Sequence, residues 1–204
     1  MRADRVILRT IFTTFLSVVM LFGAMLLMLY LFFPGTLMGI TYDLGMERAS
    51  MNNAIRAYNR TNDVYYIATA FETATEIEDL ERVEEYGHLL IKDNEFDSYC
   101  EHRNSKIDKD EISITYEHYV YGQVVMARYS QGKVGNAIDT AFWSVDSGFP
   151  KNNAMVILYL TALKTGDAQT FETVKARMES ILATMEDGHA DKAYLEDLLA
   201  LANS

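Results

Sequence analysis

The pattern of apolar and polar positions divides the chain in two. From Ile11 to Phe33 the stretch IFTTFLSVVMLFGAMLLMLYLFF holds no charged residue, and the uncharged run continues to Tyr42. Twenty-three residues of helix rise about 34 Å, enough to cross a hydrocarbon core of about 30 Å with some tilt. Lipid offers the backbone no partner, so a spanning stretch must be helical. Beyond it, apolar positions recur at helical spacing between polar breaks. Gly35, Gly39 and Gly45 punctuate a connector, residues 34–45. Helical faces follow at Met51, Ala54, Ile55 and Tyr58, and then at Val64, Ile67, Ala68, Phe71 and Ala74. Asn62 and Asp63 break between these two, and Asp79 opens a third helix with Leu80, Val83, Tyr86, Gly87, Leu90 and Ile91. After Asp93-Asn94 a shorter helix carries Phe96, Tyr99 and Cys100. The charged segment Asn104–Glu111 has no apolar face and is the candidate for a mobile insertion.

A tyrosine-rich helix is expected from about Ile112 to Tyr129, with Tyr116, Tyr119, Tyr121 and Tyr129. The next carries Ala137, Ile138, Ala141, Phe142 and Val145 and closes at Gly148 and Pro150. Asn152 or Asn153 caps another, with Met155, Leu158, Tyr159 and Ala162. Phe171, Val174, Met178, Ile181, Leu182 and Met185 mark the following face. Tyr194, Leu195, Leu198, Leu199 and Leu201 mark a last helix, Ala190–Asn203.

Arg2, Arg5 and Arg9 precede the apolar run, as in a secretory signal. The run is longer than the 7–15 residues or so of a signal's apolar region, and no small-x-small site follows. An uncleaved anchor over residues 10–33 is therefore preferred to a cleaved signal. No cysteine lies near its end, which excludes lipid attachment there. Within about 20 residues after the span only Arg48 is basic, so the charge bias puts residues 1–9 in the cytoplasm and residues 46–204 outside. Tyr30, Phe32, Phe33 and Tyr42 suit an aromatic belt at the outer interface, or are apolar filler.

The net charge is −11; residues 1–9 hold three arginines and one aspartate, so the remainder carries −13. That argues against a nucleic-acid partner and against adhesion to an anionic leaflet. Cys100 is the only cysteine, so no disulfide forms within the chain. It is expected to be buried and inert, or to pair between chains. Two prolines and little period-two alternation point to an all-α domain.

Turns at Asn62-Asp63, Asn94-Glu95, Gly132-Lys133 and Gly166-Asp167 are spaced by 32, 38 and 34 residues, and the charged segment accounts for the longer middle interval. Two amphipathic helices in a period of about 34 resemble the tetratricopeptide repeat. Tyr58, Phe71 and Ala74 match its pattern in a first unit, and Gly87 and Leu90 in a second. Tyr121, Val124, Gly132, Ala137 and Pro150 match in a third, and the turn of TGDAQTF in a fourth. Arg103 and Arg128 stand where the family carries an apolar residue, and Phe171 replaces an alanine. The resemblance covers about Gly45 to Met185. It implies an α-solenoid of about four antiparallel helix hairpins, with the last helix as a cap. First helices would line its concave face. Asn52, Arg56, Asn59, His88, Lys92, Tyr119, Met126 and Tyr129 would then be the partner-binding residues. The tyrosines serve equally well as packing between hairpins.

Candidate chemistry is sparse. Glu85/His88 and Glu186/His189 have the Glu-x-x-His spacing of di-iron bundles, but Gly188 ends the helix inside the second pair. His102 and His118 lie in charged helical surroundings without a strained elbow, and no phosphate-binding glycine motif occurs. Asn59-Arg60-Thr61 matches a glycosylation sequon. The sequence thus reads as a single-span, non-catalytic scaffold that docks another protein outside the cytoplasm. No cofactor, metal or small-molecule substrate is expected. The alternatives are a subunit of a larger membrane assembly and, behind it, a metal-dependent carboxylate–histidine bundle enzyme.

Overall fold

The computed structural model describes residues 2–106, 114–143, 153–188 and 190–201. Val145, Gly148, Pro150 and Asn152 lie outside these, as do His189 and Asn203. Of the charged segment only Asn104–Lys106 is described. Among the described residues there are eleven helices and no strand. The chain divides into two compact units, residues 1–73 and 74–204.

In the first unit, α1 (Arg2–Phe32) contains one stretch, Ile7–Phe32, long and apolar enough to cross a membrane. None of its most apolar window is buried within the protein. The expected connector is itself helical, as α2 (Pro34–Asp43). Proline fits the first turn of a helix, where its missing N–H would have no partner anyway. It also pushes the preceding residue out of helical backbone, and Phe33 sits at φ −129°. One residue thus separates two helices where a loop was expected.

Pro34 also deprives the carbonyl of Tyr30 of its helical donor, four residues on. Arg56, in α3 (Glu47–Thr61), donates to that carbonyl. Its guanidinium lies 3.6 Å from the centre of the Tyr30 ring. α3 packs on α2 through Ser50, Met51, Ala54 and Ala57. The Ser50 hydroxyl donates to the Met38 carbonyl at 3.0 Å. Arg56→Ala removes the bond to the Tyr30 carbonyl and the ring contact and is expected to lower stability by about 1 kcal/mol, read by thermal unfolding of the full chain in mild detergent.

α3 ends at Asn62, in left-handed backbone (φ 54°), and the Asp63 carboxylate accepts from the Tyr65 N–H at the start of α4 (Val64–Glu76). Val64, Ile67, Ala68, Phe71 and Ala74 are all buried, as their spacing requires.

The second unit begins within α4. It continues with α5 (Leu80–Ile91), α6 (Phe96–Asn104), α7 (Tyr116–Ser130) and α8 (Val134–Ala141). After these come α9 (Ala154–Thr165), α10 (Ala168–Thr184) and α11 (Ala190–Leu201). The turns at Asn94-Glu95, Gly132-Lys133 and Gly166-Asp167 fall between helices. Gly166 ends α9 at φ 71°, a conformation that side chains with a Cβ rarely adopt. Asp79, Thr115 and Asp167 cap α5, α7 and α10 through their side chains. Asn153 stands at the start of α9 without making such a bond. The N–H of Tyr116 donates to Asn104 Oδ1 at 2.8 Å, tying the end of α6 to the start of α7.

α7 is the hub. It packs against α5, α6, α8 and α9 and buries residues on nearly all sides: Tyr116, Val120, Tyr121, Val124, Val125 and Ala127. At Gly122 a Cβ would stand 2.9 Å from Ile157 Cδ1, so glycine lets α9 come close. Tyr116 meets Tyr99 edge-on at 5.5 Å between ring centres, and Tyr121 meets Phe96 at 6.3 Å. These tyrosines pack α6 against α7. α9 buries Met155, Leu158, Tyr159 and Ala162, and Tyr159 stacks on Phe171 of α10 at 4.9 Å. α11 packs on α10 and buries Leu195, Leu198 and Leu199.

Candidate functional site

The strongest polar construction lies among α5, α7 and α8. Arg128 occupies a position where an apolar side chain would suit a helix packed on this many sides. It is satisfied instead. Its Nε donates to Glu84 Oε1 at 3.2 Å, with both side chains about 85% buried (13% and 15% exposed). It also donates to the Thr140 hydroxyl and, at 3.4 Å, to His88 Nδ1. A ring that accepts at Nδ1 carries its proton on Nε2. Lys133 Nζ reaches the other oxygen of Glu84 at 2.5 Å, and Gln131 donates to the Leu80 carbonyl at 3.0 Å.

The electrostatics follow from this placement. Burial alone pushes the Glu84 carboxyl up, but the hydrogen bond and charge of Lys133, with the charge of Arg128, outweigh it and hold it below its ordinary value of 4.5. Burial, then Lys92, then Arg128 push His88 below 6.5, against the smaller pull of Glu84. Both groups therefore stabilise the fold when deprotonated. The His88 contribution is complete above pH 6.5 and is lost as pH falls through its lower folded value. The Glu84 contribution is complete above pH 4.5 and is lost below that. Glu84→Gln is expected to cost about 2 kcal/mol at pH 7, because Arg128 loses its buried counter-charge but keeps Thr140. The same change should flatten the stability profile below pH 4.5, and His88→Ala should flatten it below 6.5. Thermal unfolding against pH reads both.

The expected partner-binding residues are distributed as follows. On α3, Asn52 and Asn59 are exposed, and Arg56 is engaged by Tyr30 and by Asn53 Oδ1 at 3.2 Å. These belong to the first unit. In the second, His88 and Lys92 meet Tyr121, Arg128 and Trp143 around a cleft of about 10 Å³, room for no more than one water. Tyr119 is half-buried and leans on Tyr116 at 5.9 Å. The Tyr129 hydroxyl is occupied by packing. It meets the Thr165 hydroxyl at 3.0 Å and donates to Asp167 Oδ2 at 3.1 Å, tying α7 to the turn between α9 and α10. Met126 lines a depression of about 210 Å³ with Leu80, Val83, Ala127, Thr75, Glu78, Gln123 and Ser130.

The two members of the first Glu-x-x-His pair do not converge. Glu85 is held by Arg82 at 2.5 Å, and His88 faces Arg128. His189 of the other pair lies outside the described residues. Among the described residues no three His, Cys, Asp or Glu side chains gather as a metal-binding group. Cys100 is buried, and burial, with Glu117 and Asp97, pushes its thiol up to about 12, so it stays protonated and unreactive.

The sequence reading missed Glu84, Lys133 and Thr140, and the polar lining of the Met126 depression. Glu84 and Arg128 are 44 residues apart, and nothing in either local pattern announces the pair. Glu78 carried a local signal only in structure, a non-glycine residue at φ 56°.

Among the described residues the chain is thus all-helical, with one N-terminal helix long and apolar enough to span a membrane. No family model, curated protein or solved structure matches it.

Proposed function

We propose that this protein is a membrane-anchored docking scaffold, with α1 as the anchor and the helical region outside the cytoplasm as the binding part. The observation that carries the docking reading is the depression beside Met126. Its lining mixes apolar Leu80, Val83, Met126 and Ala127 with polar Thr75, Glu78, Gln123 and Ser130. At about 210 Å³ it falls below the 300–1,000 Å³ or so of small-molecule sites, and it suits a protruding side chain of a protein partner. Methionine adapts its shape to such a guest. The repeat reading draws support from α7, which packs on α5 two helices before it and on α9 two helices after it, besides its neighbour α8. Stacked helix pairs similar to tetratricopeptide repeats would bring alternate helices together in this way. The arginine-rich start of the chain supports the outward orientation.

A photo-crosslinking residue at Gln123 in cells tests the docking site. The reading expects a defined protein adduct that disappears when Met126→Arg fills the depression. Equal adducts from Glu179, exposed on α10, or none at Gln123, contradict it.

A further inference from the structure

We propose that α2 is an interfacial helix, seated on the surface of the bilayer that α1 crosses; this rests on the reading of α1 as an anchor. α2 has one buried face and one exposed apolar face. Pro34, Met38 and Thr41 form the buried one, which packs on α3. Leu37, Ile40 and, at the C-cap, Leu44 follow the same helical spacing about a quarter-turn away, and Phe33 stands just before the helix. Of these, Phe33 is 53%, Ile40 42% and Leu44 68% exposed. Large apolar side chains in a row on one side of a short helix call for a cover.

The lipid surface is the occupant that its position favours. Only Phe33 separates α2 from the last residue of α1. Arg56 then returns α3 to the Tyr30 carbonyl in the final turn of α1. α2 therefore starts at the end of the span and is followed by a helix that comes back to it, so it stays at that level. The covalent tether supplies the local concentration that so few apolar groups could not supply alone. The charge pattern sets the kind of contact. No basic residue occurs between Arg9 and Arg48, and the one charge within α2 is Asp43. The contact is with the apolar part of the interface, without a demand for anionic headgroups, unlike interfacial helices with a lysine-rich polar face.

The test uses the full chain in phosphatidylcholine bilayers, in a Cys100→Ala background with spin labels at single introduced cysteines. Val19→Cys reports on the anchor, Ile40→Cys and Leu44→Cys on the stripe, and Asp43→Cys on the polar side of α2. Accessibility to oxygen, which concentrates in lipid, is compared with that to a water-soluble nickel chelate. The proposal expects Val19, Ile40 and Leu44 to favour oxygen several-fold over Asp43. Neither 1 M salt nor added anionic lipid should change this. If Val19 is in lipid while Ile40 and Leu44 are in water, the anchor stands and the interfacial helix falls. Protection of Ile40 and Leu44 from both reagents means that protein covers the stripe, a second copy included, and also overturns the proposal. If Val19 itself is in water, the anchor reading fails and takes the proposal with it.

Discussion

Two arginines in the middle of the first helix, Val19→Arg with Phe22→Arg, are expected to release the protein from the membrane fraction. Both side chains lie about half exposed in a stretch of which none is buried within the protein, so the change removes little from the fold. What it changes is transfer into lipid. An arginine near the centre of a span costs about 2.5–3.5 kcal/mol, while each leucine, isoleucine, phenylalanine or valine returns only about 0.3–0.6. One arginine can be tolerated by tilt and by reaching toward the headgroups. Two cost about 6 kcal/mol and also remove two favourable residues, which is comparable with the whole favourable sum. Extraction of membranes with carbonate reads the outcome. Val19→Arg alone should leave most of the protein in the pellet, and the double variant should move it to the supernatant.

The second large effect is in the core. Leu158→Ala is expected to lower stability by about 3–4 kcal/mol, because Leu158 is wholly buried on α9 and the neighbouring helices α7, α8 and α10 cannot collapse fully into the space. For a chain of this size that is a fall of about 10 °C in melting temperature. Leu160, two residues on, is 46% exposed, and its change to alanine should stay within about 0.5 kcal/mol. The pair separates loss of packing from loss of a leucine. Far-UV circular dichroism of the full chain in mild detergent during heating measures both.

These effects also show what the sequence made legible. The face Met155, Leu158, Tyr159 and Ala162 follows from spacing alone and is buried as a set. So does Val64, Ile67, Ala68, Phe71 and Ala74 on α4. Helical periodicity and polar breaks are local signals, and they sufficed for the all-helical class and for the turns. Two things escaped. Gly35 and Gly39 made the stretch after the span look like a connector, yet α2 forms there. Proline is an acceptable first residue of a helix, and burial of Met38 and Thr41 against α3 outweighs the glycines. The bond from the Tyr129 hydroxyl to Asp167, 38 residues on, is the other, and no position in a repeat announces it. Arg128 likewise looked out of pattern because its partner, Glu84, comes from another helix. Long-range polar pairs leave no trace in the local pattern of one sequence. The depression beside Met126 is of the same kind, since Thr75, Leu80 and Gln123 meet only after α5 has packed on α7.

The proposed scaffold requires α1 to hold the helical region on the outer side of a membrane. Side-selective labelling tests it most directly. Cys100 cannot report, since it is buried and its thiol is pushed up to about 12. Glu179, exposed on α10, can carry a reporter as Glu179→Cys in a Cys100→Ala background. A membrane-impermeant maleimide is expected to label this cysteine on intact cells as fully as after lysis. Labelling that appears only after lysis would place the helical region in the cytoplasm and contradict it.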